Sequence, residues 1–106
     1  MKLGVMSAMF GGMSLDDALK YCQKVGLGAI ELPAGAYPGD PWKLSGLHKS
    51  KRAVAELKKK VAGYGLEIHG IAVHGNPVHP DKKLAKEHHA IHRNGVLLAA
   101  ELGTVV

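Results

Sequence analysis

Tyr64-Gly65-Leu66-Glu67-Ile68-His69-Gly70-Ile71-Ala72-Val73 is the stretch on which the fold turns. From Leu66 to Val73 it is short, mostly apolar and free of proline, which predicts a β-strand. Ala53, Val54, Leu57, Val61 and Tyr64 precede it at helical spacing, predicting a helix over 50–64 whose end is set by Gly65. Lys58, Lys59 and Lys60 fall near the C-terminal end of that helix, where cations suit the helix dipole, and read as a solvated face.

The same joint occurs twice more, at Val25-Gly26-Leu27 and Leu102-Gly103-Thr104, so the three glycines stand 39 and 38 residues apart. Before the first joint, Leu15, Ala18, Leu19, Cys22 and Val25 form one apolar helical stripe, with Ser14 as N-cap and Asp17 three residues on as the partner of a capping box. Before the last, Leu84, His88, Ile91 and Leu98 mark a helix over 81–102, in which Gly95 costs about 1 kcal/mol relative to alanine. Lys2 to Ser7 and Ala29 to Leu32 read as strands. Phe10-Gly11-Gly12-Met13 and Pro33 to Trp42 read as loops, and Thr104-Val105-Val106 as the start of a fourth strand.

Strand and helix alternating at a steady period imply βα repeats, a parallel sheet and right-handed crossovers. Strands in such a sheet need cover on both faces, and three helices cover only one. The chain therefore reads as α/β, with about four strands and three helices that form the first half of a barrel and are incomplete alone. Residues 1–106 would be the N-terminal part of a single barrel domain, truncated at the fourth strand. Gly4, Ala29, Gly70 and Ala72 would be the small residues of the inner face. Glu31 and His74 would lie on that same side, near the C-terminal strand ends where such barrels carry their sites.

Composition narrows the function classes. Hydrophobic residues make up 46% and charged residues 22%, ordinary for a soluble globular domain. No apolar run reaches the roughly 20 residues that span a bilayer, and the opening residues lack the apolar core of a signal peptide. The single cysteine, Cys22, on the apolar stripe, reads as a core residue and fits a reducing, cytoplasmic setting. A formal charge of +5 spread over helix surfaces, with few aromatic residues, does not describe a nucleic-acid or membrane partner.

Between the third strand and third helix lies His74-Gly75-Asn76-Pro77-Val78-His79-Pro80-Asp81, two histidines and an asparagine in a backbone fixed by glycine and prolines. This loop, the Met9-Phe10 pair after the first strand, and Gly26-Leu27-Gly28-Ala29-Ile30-Glu31-Leu32-Pro33 together resemble sugar phosphate isomerases/epimerases of the xylose-isomerase-like TIM (β/α)8 barrel superfamily. The resemblance runs along nearly the whole chain but covers only the first three to four of eight βα units.

The resemblance implies an enzyme that moves a proton or hydride between adjacent carbons of a sugar, with a divalent cation (Mn, Mg, Co or Zn) polarising the oxygens. In that family the metal-binding and catalytic carboxylates come from later strands, so no catalytic residue or metal ligand is assigned here. The positions that match are first-half rim residues that would contact the sugar: Phe10, Glu31, His74 and, in its loop, Asn76 and His79. The superfamily also contains apurinic-endonuclease-type zinc enzymes, in which a histidine near the His74 position ligates metal. A third, non-enzymatic reading is a half-barrel that pairs with itself or with a separate second half through its bare sheet face.

Each candidate has a plainer reading. His74 can cap its strand, and Asn76-Pro77 and His79-Pro80 are turn-forming pairs. Glu31 can pair with a cation, and Phe10 can pack beneath its loop. His88 and His92 share a helical face at the spacing of a metal chelate, but with His89 and no nearby cysteine they read as a surface histidine cluster. Gly11-Gly12 before a capped helix lacks either phosphate-loop fingerprint.

Overall fold

A computed structural model describes all 106 residues. Three parallel strands, β1 (Gly4–Met6), β2 (Ala29–Pro33) and β3 (Glu67–Ala72), lie side by side in chain order. Three helices, α1 (Leu15–Lys24), α2 (Lys51–Gly63) and α3 (Lys82–Leu102), connect or follow them.

Each helix begins at a side-chain cap. Ser14 Oγ accepts from the Asp17 backbone N–H at 3.1 Å, and Ser50 Oγ from that of Ala53 at 3.2 Å. The Asp81 carboxylate accepts from the N–H groups of Lys83 and Leu84 at 2.9 and 3.3 Å. These oxygens satisfy donors that have no partner inside the first turn. At the other ends, Gly26, Gly65 and Gly103 all hold a left-handed backbone, with φ of 84°, 74° and 73°. That conformation turns the chain back toward the sheet, and it is why a glycine recurs at each joint.

The core lies between the sheet and the helices. Ala18, Leu19 and Cys22 of α1 are fully buried, as the stripe predicts, whereas Val25 is half exposed because the helix has already ended. On α2, Val54, Leu57 and Val61 are buried, and Lys60 reaches across to Asp16 at 3.1 Å. On α3, Leu98, Ala99 and Leu102 are buried, but the first turn holds no buried residue and Leu84 is exposed.

In three places the structure departs from the sequence reading. Residues 7–10, expected to be strand end and open loop, form a 3-10 turn that buries Phe10. The fourth strand does not form: Thr104–Val106 makes one ladder-type contact, Ile71 N–H to Val105 O at 2.8 Å, and a single bond is not a ladder. The sheet is therefore open and three-stranded. β3 also contains a bulge, because Ile30 pairs with Ile68 but Glu31 pairs with Gly70, skipping His69. The extra residue shifts the side-chain parity. Ile68, Ile71 and Val73 can then all pack toward the helices, while Gly70 and Ala72 fall opposite Glu31 and Pro33.

Candidate functional site

The bulge and the strand register determine what the inner sheet face presents. Gly4 pairs with Ala29, Met6 with Glu31, and Glu31 with Gly70, so the small residues sit beside one another and leave room around the carboxylate. A Cβ on Gly70 would stand 3.9 Å from Glu31 Cγ and Oε2. Glu31 is half-buried and makes neither an ion pair nor a side-chain hydrogen bond. It is thus an acceptor without a donor.

At the C-terminal strand ends, the turn after β1 and the loop after β2 enclose a cleft of about 420 Å³. Ser7, Phe10, Pro33, Pro38, Asp40 and Pro41 line it. Phe10 supplies an apolar wall and meets Tyr21 edge to face, with ring centroids 5.9 Å apart. The Asp40 carboxylate accepts from the backbone N–H groups of Leu44 and Ser45 at 2.6 and 3.0 Å, which folds the loop back on itself. Ser7 is 5% exposed, and its hydroxyl has no hydrogen-bond partner. Buried hydroxyls seldom go without one.

His74 follows β3 and is exposed. Its backbone forms an antiparallel bridge with Tyr37 of the β2 loop, His74 N–H to Tyr37 O at 2.9 Å and Tyr37 N–H to His74 O at 3.4 Å. The two rings lie 6.4 Å apart. His74 is therefore held beside the rim by its main chain, with its imidazole free of protein hydrogen bonds.

Asn76 and His79 sit differently. Asn76 Oδ1 accepts from the Val78 N–H at 3.1 Å, and His79 Nδ1 from the Asp81 N–H at 3.0 Å, so both side chains order their own turn. The Asn76 N–H donates to Nδ1 of His88 on α3 at 2.8 Å. His88 is thus a contact of the loop, and not simply part of a solvent-facing cluster.

No hydrogen bond joins any two of the five candidate side chains. Phe10 lines the cleft, Glu31 lies two residues before its Pro33 wall, and His74 is fastened to the loop that bounds it. Nowhere do three or more His, Cys, Asp or Glu side chains converge as a metal would need. Cys22 is fully buried, and burial raises its thiol pKa. A hollow of about 410 Å³ at the opposite strand ends, between Lys2, Gly4, Ala29, Glu67 and His69, is bridged by the Lys2–Glu67 ion pair. It lies at the end that α/β barrels use for stability rather than chemistry.

Sequence reading passed over Ser7, Tyr37 and Asp40 as site residues, and read His88 as part of a surface cluster rather than as a contact of the loop. The Tyr37 and His88 contacts join residues distant in sequence, and only the Tyr37-Pro38-Gly39-Asp40 turn chemistry hinted at an ordered loop.

No protein-family model and no curated protein sequence matches the chain. Solved structures do match its fold. A D-psicose 3-epimerase determined in the presence of D-fructose superposes on 99% of the chain with a TM-score of 0.62 and 17% identity. The D-psicose 3-epimerase of Clostridium cellulolyticum H10, determined with D-tagatose, gives 99%, 0.64 and 19%. A xylose isomerase domain containing protein of Salmonella typhimurium gives 97%, 0.58 and 16%. The chain spans about a third of the length of each, covering 36%, 36% and 34% respectively. At these identities it is the fold that is shared: an open α/β sheet that corresponds to part of a TIM barrel in sugar epimerase- and isomerase-like proteins.

Proposed function

We propose that these residues form one wall of the substrate rim in a sugar isomerase- or epimerase-like (β/α)8 barrel. One observation supports this reading: β2 and β3 carry Glu31 and lead into His74 toward the end of the sheet where Phe10 lines a cleft, in a fold shared with sugar epimerases. The chemistry of each fits a small polyol. Phe10 can pack against the C–H face of a sugar, the unpaired Glu31 carboxylate can accept from its hydroxyls, and His74 can donate or accept. Asn76 and His79 would act mainly by shaping the loop that holds His74 in place.

Moving a proton or hydride between adjacent carbons needs acid–base groups, and in this reading a divalent cation. These residues do not build a metal site, so we derive no step through a metal. Its ligands and the catalytic carboxylates would come from strands outside the 106 residues, and the chain alone would bind sugar without turning it over. In the zinc-nuclease alternative His74 would be one ligand, and the others would likewise come from strands outside the 106 residues; metal analysis of the full-length protein would discriminate the two.

Titrating D-fructose or D-tagatose into the isotope-labelled chain tests the reading by amide chemical-shift mapping. Shifts should cluster at Phe10, Glu31 and His74, and Glu31→Ala should weaken binding by about tenfold, the worth of a hydrogen bond to a charged group. Shifts confined to the Lys2–Glu67 end, or none at the rim in sugar excess, would reject it.

A second reading, association through the sheet, is favoured by the unpaired outer edge of β1 and the exposure of Leu3, Met6 and Met9 beside it.

A further inference from the structure

We infer that Tyr37 is a further substrate-contacting residue: with His74 it forms a two-ring platform that receives the C–H face of a sugar. This role rests on the substrate-rim reading and adds to it a residue and the way that residue binds. Tyr37 is 66% exposed in the loop after β2. Its ring lies 6.4 Å from that of His74, with the planes inclined at 48°. The rings neither stack flat nor close edge to face, and both residues are exposed. Aromatic surface therefore stays open to solvent beside the rim.

The backbone beneath this ring is held firmly. Tyr37 exchanges both of its main-chain hydrogen bonds with His74. Gly35 N–H donates to Gly39 O at 3.0 Å, closing the loop around Tyr37, and Asp40 anchors the far side through Leu44 and Ser45. Behind it, Gly35 has a φ of 117° and rests on α3, where a Cβ would stand 2.7 Å from Ile91 Cγ2.

Ala36, next to Tyr37, has a φ of 53°, a left-handed backbone that residues with side chains seldom adopt. It persists only where surrounding contacts impose it, and such residues gather at ligand-binding segments. Core packing does not account for the ring, because Tyr37 is not among the residues that form or flank the core. The fold thus holds an exposed aromatic side chain in one place without using it to bury surface.

The surroundings select the ligand class. Phe10, Pro33, Pro38 and Pro41 give the adjacent cleft apolar walls, and its one charged lining residue is Asp40. No lysine or arginine lines it, so a phosphate or a nucleic-acid backbone finds no counter-charge there. A neutral molecule with a C–H face and a fringe of hydroxyls fits instead. Its face covers the Tyr37 ring, and its hydroxyls bond Tyr37 Oη and the free His74 imidazole.

Because main-chain atoms alone make the bridge to His74, the Tyr37 side chain can be removed without breaking it. Ligand contact and loop support are therefore separable by experiment. In the isotope-labelled 106-residue chain, the Tyr37 ring resonances should move as D-tagatose or D-fructose is added. Tyr37→Ala should weaken binding by about fivefold, the worth of an aromatic contact, and Tyr37→Phe by about twofold at most. The His74 amide should keep its hydrogen-exchange protection in both variants. Native affinity in Tyr37→Ala would overturn the platform, and so would an equal loss in Tyr37→Phe. If Tyr37→Ala opened the loop and exposed the His74 amide, the native ring resonances would decide, and unmoved ones would overturn it. Shifts at Phe10 and Glu31 with a silent Tyr37 ring would sink the platform and leave the rim reading standing. Silence across the whole rim would sink both.

Discussion

Two glycines show how one missing side chain sets a local structure. Gly75 admits the His88 ring, and Gly95, buried in the middle of α3, admits Val73 from the end of β3. A Cβ on Gly95 would stand 2.9 and 3.0 Å from the two Val73 methyl carbons. From sequence alone Gly95 is a weakness in a helix. In the structure it is where the helix makes room for the Val73 side chain. Gly95→Ala should therefore destabilise the chain by about 1–3 kcal/mol despite the better helix propensity of alanine, because overpacking outweighs a gain of about 1 kcal/mol. Denaturant unfolding would show the sign, and a stabilised variant would mean that the contact relaxes freely.

Among the elements, α3 depends most on its cap. It is the longest helix, its first turn carries no buried residue, and its opening N–H groups are met by Asp81. A helix start without tertiary packing relies on capping, so Asp81→Ala should fray the first turns of α3 and cost about 1 kcal/mol. Increased exchange at Lys83, Leu84 and Ala85, with the amides around Leu98 unchanged, is the expected pattern. Global loss of protection would mean that the cap supports more than its own turn.

For the whole molecule, the sheet is covered on one face only. Seventeen buried residues fill the space between strands and helices, while Leu3 (71%), Met9 (81%) and Met6 (48%) are exposed on or beside the uncovered sheet and its β1 edge. Exposed apolar surface beside an unpaired strand edge favours self-pairing or capture of another sheet. In solution the 106-residue chain should bind an apolar fluorescent dye or sediment as more than a monomer. Met6→Lys and Met9→Lys together should lower both signals. A monomer that binds no dye would show that this face is tolerated in water, and would remove the support for association through it.

The sequence by itself determined the alternation of strands and helices, the positions of the helix caps and stop glycines, and the buried stripe of α1. These follow from interactions within a few residues: side-chain oxygens at first turns, left-handed glycines at last ones, and helical spacing of apolar groups. It also placed Glu31 and His74 near one end of the sheet. Only the tertiary structure decided the bulge at His69, which depends on how β3 meets β2, and the burial of Phe10 in a 3-10 turn. The same holds for the fastening of His74 to Tyr37 and of Asn76 to His88, because each joins groups 12 or more residues apart. Local rules say what a segment prefers, but they do not say which ring nitrogen a distant backbone N–H will meet.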